Sequence, residues 1–154
     1  MGTGRTSLSL LLEAFPSVRI QAVTHPNDER KISGILEHIP EGDFDLVLAD
    51  LATWTPNALF DLVLAHQFLG EATHHNTQVS FRQMADRVFE LSNKYAVVFD
   101  YVEDPGVDWE YVTRRSHEWG RVRVDKTYVR GEPLVAKRFV GTTYRGILVE
   151  RTRV

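Results

Sequence analysis

His66, Glu71, His74 and His75 stand within ten residues of one another, and each can exchange a proton or hold an ion. A histidine titrates near neutrality, so His66 or His74, with Glu71 close by, suits a general base drawing a proton from a hydroxyl acceptor. The same letters also read as a solvated turn, in which Asn76 or Thr77 caps the following helix. A metal held by His66, His74 and His75 has the right residue types, but adjacent histidines seldom aim at one ion, and no metal is expected. A second signal is Gly2-Thr3-Gly4-Arg5-Thr6-Ser7, directly before an apolar helical pattern. Glycines there let a backbone pass close to a ligand and leave N–H groups at a positive helix end, although a flexible chain start has the same composition. A third signal is the interleaving of Arg and Lys with Tyr128, Phe139 and Tyr144. Such a surface attracts a phosphorylated or nucleic-acid acceptor. A solvated sheet face whose cations guard an edge is the plainer alternative.

These residues need a scaffold, and the composition allows one. The chain has 154 residues, 43% of them hydrophobic and 25% charged, which fits a single domain over 1–154 with a core. No apolar run approaches the eighteen residues of a membrane helix, and no signal peptide is visible. Zero cysteines exclude disulfides and cysteine-ligated zinc or iron–sulfur centres, and fit a cytoplasmic location. Charge is divided: residues 1–105 carry 7 Lys+Arg against 15 Asp+Glu, and residues 106–154 carry 11 against 6.

Periodicity predicts a helix over 5–15 with Leu8, Leu11, Leu12 and Phe15 on one face and Pro16 as its stop. A strand over 18–23, a helix over 26–39 and a strand over 44–49 follow. FDLVLA at 44–49 recurs at 60–65, which reads as two central parallel strands. Further along come a helix over 77–92 stopped at Asn93, a strand over 95–101 and a polar helix over 108–119 carrying Trp109, Tyr111 and Trp119. Those aromatics serve either a lid or simple anchoring to the sheet. Beyond Gly120 the period becomes two, with Arg121, Arg123 and Asp125 on one face and Val122 and Val124 on the other. Gly131-Glu132-Pro133 and Gly141-Thr142 punctuate these strands as antiparallel hairpins. The expected fold is α/β: a Rossmann-like doubly wound sheet, mostly parallel, with antiparallel C-terminal strands.

In that order of elements, from Gly2–Gly4 to the final hairpin, the chain resembles a class I S-adenosylmethionine-dependent methyltransferase over nearly its whole length. The resemblance implies S-adenosyl-L-methionine as cofactor and methyl transfer to an acceptor it does not identify. It places Gly2 and Gly4 in the loop that approaches the methionine and ribose parts, and Asp50, with Leu51 behind it, at the adenine amino group. Ala65, His66, Gln67 and Phe68 correspond to the methyl-transfer side. Thr24 stands at the end of the second strand, where the family has an acidic residue for the ribose hydroxyls. The family's strand before the glycine loop is missing, which reads as an N-terminal truncation and, through exposed edges, favours a homo-oligomer. No Asn-Pro-Pro-Tyr or Asp-Pro-Pro-Tyr is present, which argues against methylation of DNA exocyclic amines. The acceptor class is a small molecule or a phosphate-bearing one, with nucleic acid left open, and no membrane is involved. Two alternatives remain. GTGRTSL resembles the tail of a Walker A loop, and FDLVLAD a Walker B strand with Asp50 for magnesium, although Arg5 stands where the lysine belongs. The other is a methyltransferase fold serving as a non-catalytic scaffold.

Overall fold

The computed structural model describes residues 5–26, 32–33, 36–37, 39, 44–70, 80–129 and 143–152. The chain forms two compact units, Met1–Thr55 and Pro56–Val154. In the first, helix α1 (Arg5–Ala14) precedes the parallel strands β1 (Gln21–Thr24) and β2 (Asp45–Leu48). Leu8 of α1 is buried with Ile39 and Phe44, and Leu12, Ile20, Ala22 and Leu46 pack against them. The apolar spacing of α1 and the alternation of Ile20, Ala22 and Leu46 thus meet in one small core. Strand β1 begins later than the sequence suggests. After α1 the chain turns back, with Val18 N donating to Phe15 O at 3.1 Å, so Val18 is spent on the turn and stays exposed. The helix expected over 26–39 falls largely outside the described residues.

The second unit contains β3 (Phe60–His66), α2 (Phe81–Glu90), β4 (Ser92–Tyr101), α3 (Trp109–Trp119), β5 (Gly120–Val129) and β6 (Thr143–Arg151). Its sheet has the order β3-β4-β6-β5, with β3 parallel to β4 and β6 antiparallel to both β4 and β5. This mixed parallel and antiparallel sheet is the expected α/β class. The two FDLVLA copies do not pair. β2 lies beside β1, and β3 is one of the two outer strands of its four-stranded sheet. Identical letters therefore specify a parallel strand without specifying its neighbour or its burial: Leu48 of β2 and Leu62 of β3 are both exposed.

One face of the second sheet is dry. Ala65, Ala96, Val98, Asp100, Ile147 and Val149 are buried there, beneath Met84, Ala85, Val88 and Phe89 of α2 and Val112 and Ser116 of α3. The aromatics of α3 act as anchors. Trp109 Nε1 donates to Tyr101 O at 3.0 Å, Tyr111 Oη to Asp86 Oδ2 at 2.8 Å, and the Trp119 ring lies 5.6 Å from that of Phe89. The alternation expected after Gly120 breaks once. A bulge between Val122 and Val124 sets Val122 opposite Val149 but Val124 opposite Leu148. Because Leu148 and Val149 point to opposite faces, so do Val122 and Val124, and Arg121 and Asp125 part company likewise. The strand expected at 135–140 and both hairpin punctuations lie outside the described residues.

Helix α2 is closed by Ser80 rather than Asn76 or Thr77: Gln83 N donates to Ser80 Oγ at 3.3 Å, and Ser80 N to Gln83 Oε1 at 2.9 Å. It ends at Leu91, and Ser92 already opens β4, so Asn93 is a strand residue and not a helix stop. Ser80→Ala should destabilise the chain by about 1 kcal/mol, read as a lower urea midpoint at unchanged slope; an unchanged midpoint would remove the capping box from the account.

Candidate functional site

Ligands of open α/β sheets bind beyond the carboxyl ends of the strands, where loops leave the sheet and backbone groups lack ladder partners. In the first unit, Thr24 ends β1, and its carbonyl accepts from Ala49 N at 2.9 Å, drawing the end of β2 alongside. Asp50 follows at the same end. Its Oδ1 accepts from Ala52 N at 3.0 Å, and its carbonyl from Trp54 N at 2.8 Å, folding Leu51 and Ala52 into a tight turn. Among the described residues, Asp50 Oδ2 accepts no hydrogen bond, so a half-exposed carboxylate oxygen is available to a ligand's donor. The structure thus brings Thr24, Asp50 and Leu51 together. Gly2 and Gly4 lie outside the described residues. A nucleoside's amino and hydroxyl donors suit this set at Asp50, while Thr24 offers a single hydroxyl in place of a carboxylate.

In the second unit, buried Ala65 and half-buried His66 end β3. The His66 ring stacks on Phe99 of β4 at 5.3 Å and 14°. Phe99 in turn stacks on Tyr144 at 5.4 Å and meets Tyr128 at 6.0 Å. Gly146 makes this possible, because a Cβ there would come within 2.9 Å of Phe99 Cδ2. Burial holds the His66 imidazole below its ordinary value, leaving a neutral ring at pH 7. Gln67 then takes a left-handed backbone, φ 50°, which costs a non-glycine residue about 1–2 kcal/mol. Two anchors hold it: Gln67 N donates to Phe99 O at 2.7 Å, and the next turn is tied to Asp100. Leu69 N reaches Asp100 Oδ2 at 3.0 Å, Gly70 N reaches it at 3.3 Å, and Asp100 Oδ1 accepts from Tyr101 N at 2.9 Å. A Cβ at position 70 would run into the Asp104 carboxylate, which would have to swing aside to admit it.

Glu71, His74 and His75 lie outside the described residues, so of the proposed proton-transfer set the structure places His66 alone. Asp100 escapes a reading of the sequence for reactive side chains. Its one signal is phase: it continues the buried positions Ala96 and Val98 of β4, where a carboxylate is costly unless bonded. Among the described residues of the basic C-terminal third, most arginines face carboxylates. Arg145 Nη2 meets Asp125 Oδ2 at 2.7 Å, Arg123 pairs with Glu150, and Arg115 Nε meets Asp86 Oδ1 at 2.8 Å.

No protein-family model and no curated protein sequence matches the chain. Solved structures do. A candidate RNA methyltransferase from Pyrococcus horikoshii superposes with TM-score 0.68 at 18% identity, over 99% of this chain and 72% of its own. Magnesium protoporphyrin IX methyltransferase from Synechocystis, with S-adenosylmethionine bound, gives 0.64 at 15% identity, over 98% and 67%. An enzyme of a pericyclic reaction gives 0.61 at 12% identity, over 97% and 41%. The chain thus spans between 41% and 72% of the length of these relatives. The fold is that of a class I methyltransferase. Thr24 and Asp50 stand at the carboxyl ends of β1 and β2 in the first unit, and His66 and Asp100 at the carboxyl ends of β3 and β4 in the second.

The depressed His66 value has a consequence for stability. The folded chain prefers the neutral ring, so this contribution is intact above the ordinary imidazole value of 6.5 and is lost as pH falls from there toward the lower folded-state value. His66→Phe, which keeps a ring against Phe99, should lose less stability than the native chain between pH 7 and pH 5 in urea unfolding. Equal losses would show that His66 carries no such penalty.

Proposed function

We propose that the protein transfers a methyl group from S-adenosyl-L-methionine to a small-molecule or phosphate-bearing acceptor. The observation that carries this reading is the superposition of 99% of the chain on a methyltransferase fold, with acidic and imidazole groups at the carboxyl ends of its strands. S-adenosylmethionine supplies an activated methyl group, so the reaction is an in-line displacement in which the carbon–sulfur bond breaks as the acceptor–carbon bond forms. The chain's own part is to bind, orient and move a proton. Gly2, Gly4, Thr24, Asp50 and Leu51 hold the cofactor, with Asp50 accepting from the adenine amino group. Ala65 and His66 line the transfer side, and His66, neutral at working pH, takes the acceptor's proton, with Glu71 and His74 close in sequence. The pairing of most described arginines of the C-terminal third with carboxylates favours a small acceptor over a nucleic-acid backbone.

Among the described residues no helix is long and apolar enough to cross a membrane. We place the protein in the cytoplasm on its lack of cysteine. The reading takes residues 1–154 as one methyltransferase-like domain able to self-associate. The fold similarity favours methyl transfer over nucleotide hydrolysis, which also needs a lysine where Arg5 stands.

Thermal unfolding with S-adenosylhomocysteine and with Mg-ATP tests the reading. At about a hundred times its dissociation constant, the homocysteine product should stabilise by about 2.7 kcal/mol, a shift of a few degrees. Asp50→Asn, which keeps an acceptor for Ala52 N, should weaken that binding about tenfold, the value of one charge-assisted hydrogen bond. A shift with Mg-ATP alone would overturn the proposal, and no shift with either would point to a scaffold. For an assay with any acceptor, the acidic limb of the pH–rate profile should fall below the ordinary imidazole value of 6.5, and His66→Phe should abolish that limb.

A further inference from the structure

We infer that Asp100 is a positioning residue: through the backbone of Leu69 and Gly70 it holds His66 and the left-handed turn at Gln67 in place at the carboxyl end of β3. The inference rests on the methyl-transfer reading only for what His66 does there; the clamp itself is a matter of geometry.

Three observations converge on it. The Asp100 carboxylate is 2% exposed, in line with Ala96 and Val98 on the face of β4 that α2 and α3 cover. A valine there would continue the pattern without the desolvation of a charge, and burial accordingly pushes this carboxyl above the ordinary carboxylate range. The residue therefore works against the core it sits in, and what it gains is local. Its two oxygens accept three backbone N–H groups, two of which belong to a segment some thirty residues earlier in the chain. That segment adopts a conformation its sequence does not favour. Gln67 has φ 50° without being glycine, and Gly70 packs so closely on Asp104 that a side chain there would displace its carboxylate.

The clamp is also directional. β3 and β4 are parallel, and His66 stands opposite Phe99 in register. The chain leaving β3 must turn at once, with Gln67 N fixed to Phe99 O and Leu69 and Gly70 fixed to the next residue of β4. Phe99 carries the His66 ring from one side, and Asp100 carries the backbone from the other. Adjacent residues of one strand, pointing to opposite faces, thus hold the two parts of one short segment. Without the carboxylate, Leu69 N and Gly70 N would lose these buried hydrogen bonds, and the segment would open toward water. The imidazole would lose its fixed seat on Phe99 in the same step.

Amide exchange and imidazole titration by nuclear magnetic resonance test this on the full chain with no added ligand. In Asp100→Val, exchange at Leu69 and Gly70 should accelerate at least tenfold relative to the native chain, while the Val98 and Ile147 amides in the same sheet keep their protection. The His66 titration midpoint should rise toward the ordinary imidazole value, a change that a residue serving only to fill the core would not cause. Asp100→Asn keeps the shape and one acceptor oxygen, and should fall between the two; it decides the matter if the valine variant does not fold. Native protection at Leu69 and Gly70, with an unmoved His66 midpoint, in whichever variant folds would overturn the inference. S-adenosylhomocysteine melts of the native chain separate this from the functional reading. Faster exchange in a chain that never responds to the homocysteine product keeps the clamp and removes the methyl-transfer role. A clear response with unchanged exchange does the reverse.

Discussion

A strand paired along both edges has no freedom left in its backbone, and β4 is such a strand: parallel to β3 on one side, antiparallel to β6 on the other. Its side chains divide between two tasks by parity alone. Ala96, Val98 and Asp100 turn toward α2 and α3, and Tyr95, Val97, Phe99 and Tyr101 turn away. The last residues of each set reach the carboxyl end of the sheet, and there Phe99 supports a ring while Asp100 supports a backbone. The candidate site of the second unit is therefore a product of β4 as much as of β3: β3 supplies the imidazole and β4 the carboxylate that holds the following turn.

The sequence made the elements legible where a single period runs uninterrupted. Leu8, Leu11 and Leu12 announce α1, and Met84, Ala85 and Val88 announce α2, because both helices bury one stripe against a core. It misled where two elements meet without a spacer. Leu91 ends α2 and Ser92 begins β4, so Asn93 lies within a strand although its type suits a helix stop. The bulge at Arg123 is likewise invisible to an alternation count, since Val122 and Val124 keep their spacing while their faces change. In the site, Asp50 was legible as a carboxylate just after an apolar strand. Asp100 was not, because its partners are backbone N–H groups, which every residue possesses and no letter records.

Charge tells a similar story at a larger scale. The excess of Lys and Arg after residue 105 suggests a surface for anions. In the folded chain Arg115 serves the junction of α2 and α3 through Asp86, while Arg123 and Arg145 cross from strand to strand to Glu150 and Asp125. Such half-exposed pairs stabilise modestly, by about 0–1 kcal/mol each. Their main effect is on the field: cations that face carboxylates at contact distance contribute little at the range over which a polyanion is steered.

The place of β6 in the sheet sets an order of events for the nascent chain. β5 follows β4 and α3 in sequence, yet it shares no ladder with β4; β6, made later, must lie between them. Until the ribosome has released residues 143–151, β4 and β5 share no ladder, and the edge of β4 that will take Thr143–Arg151 waits with its backbone N–H and C=O groups unpaired. Closure of this sheet is then an insertion into a gap already flanked on both sides, governed by contacts distant in sequence. That step belongs to the slow, non-local class of folding events, and it makes synthesis of β6 the moment at which the second unit first becomes a single cooperative body.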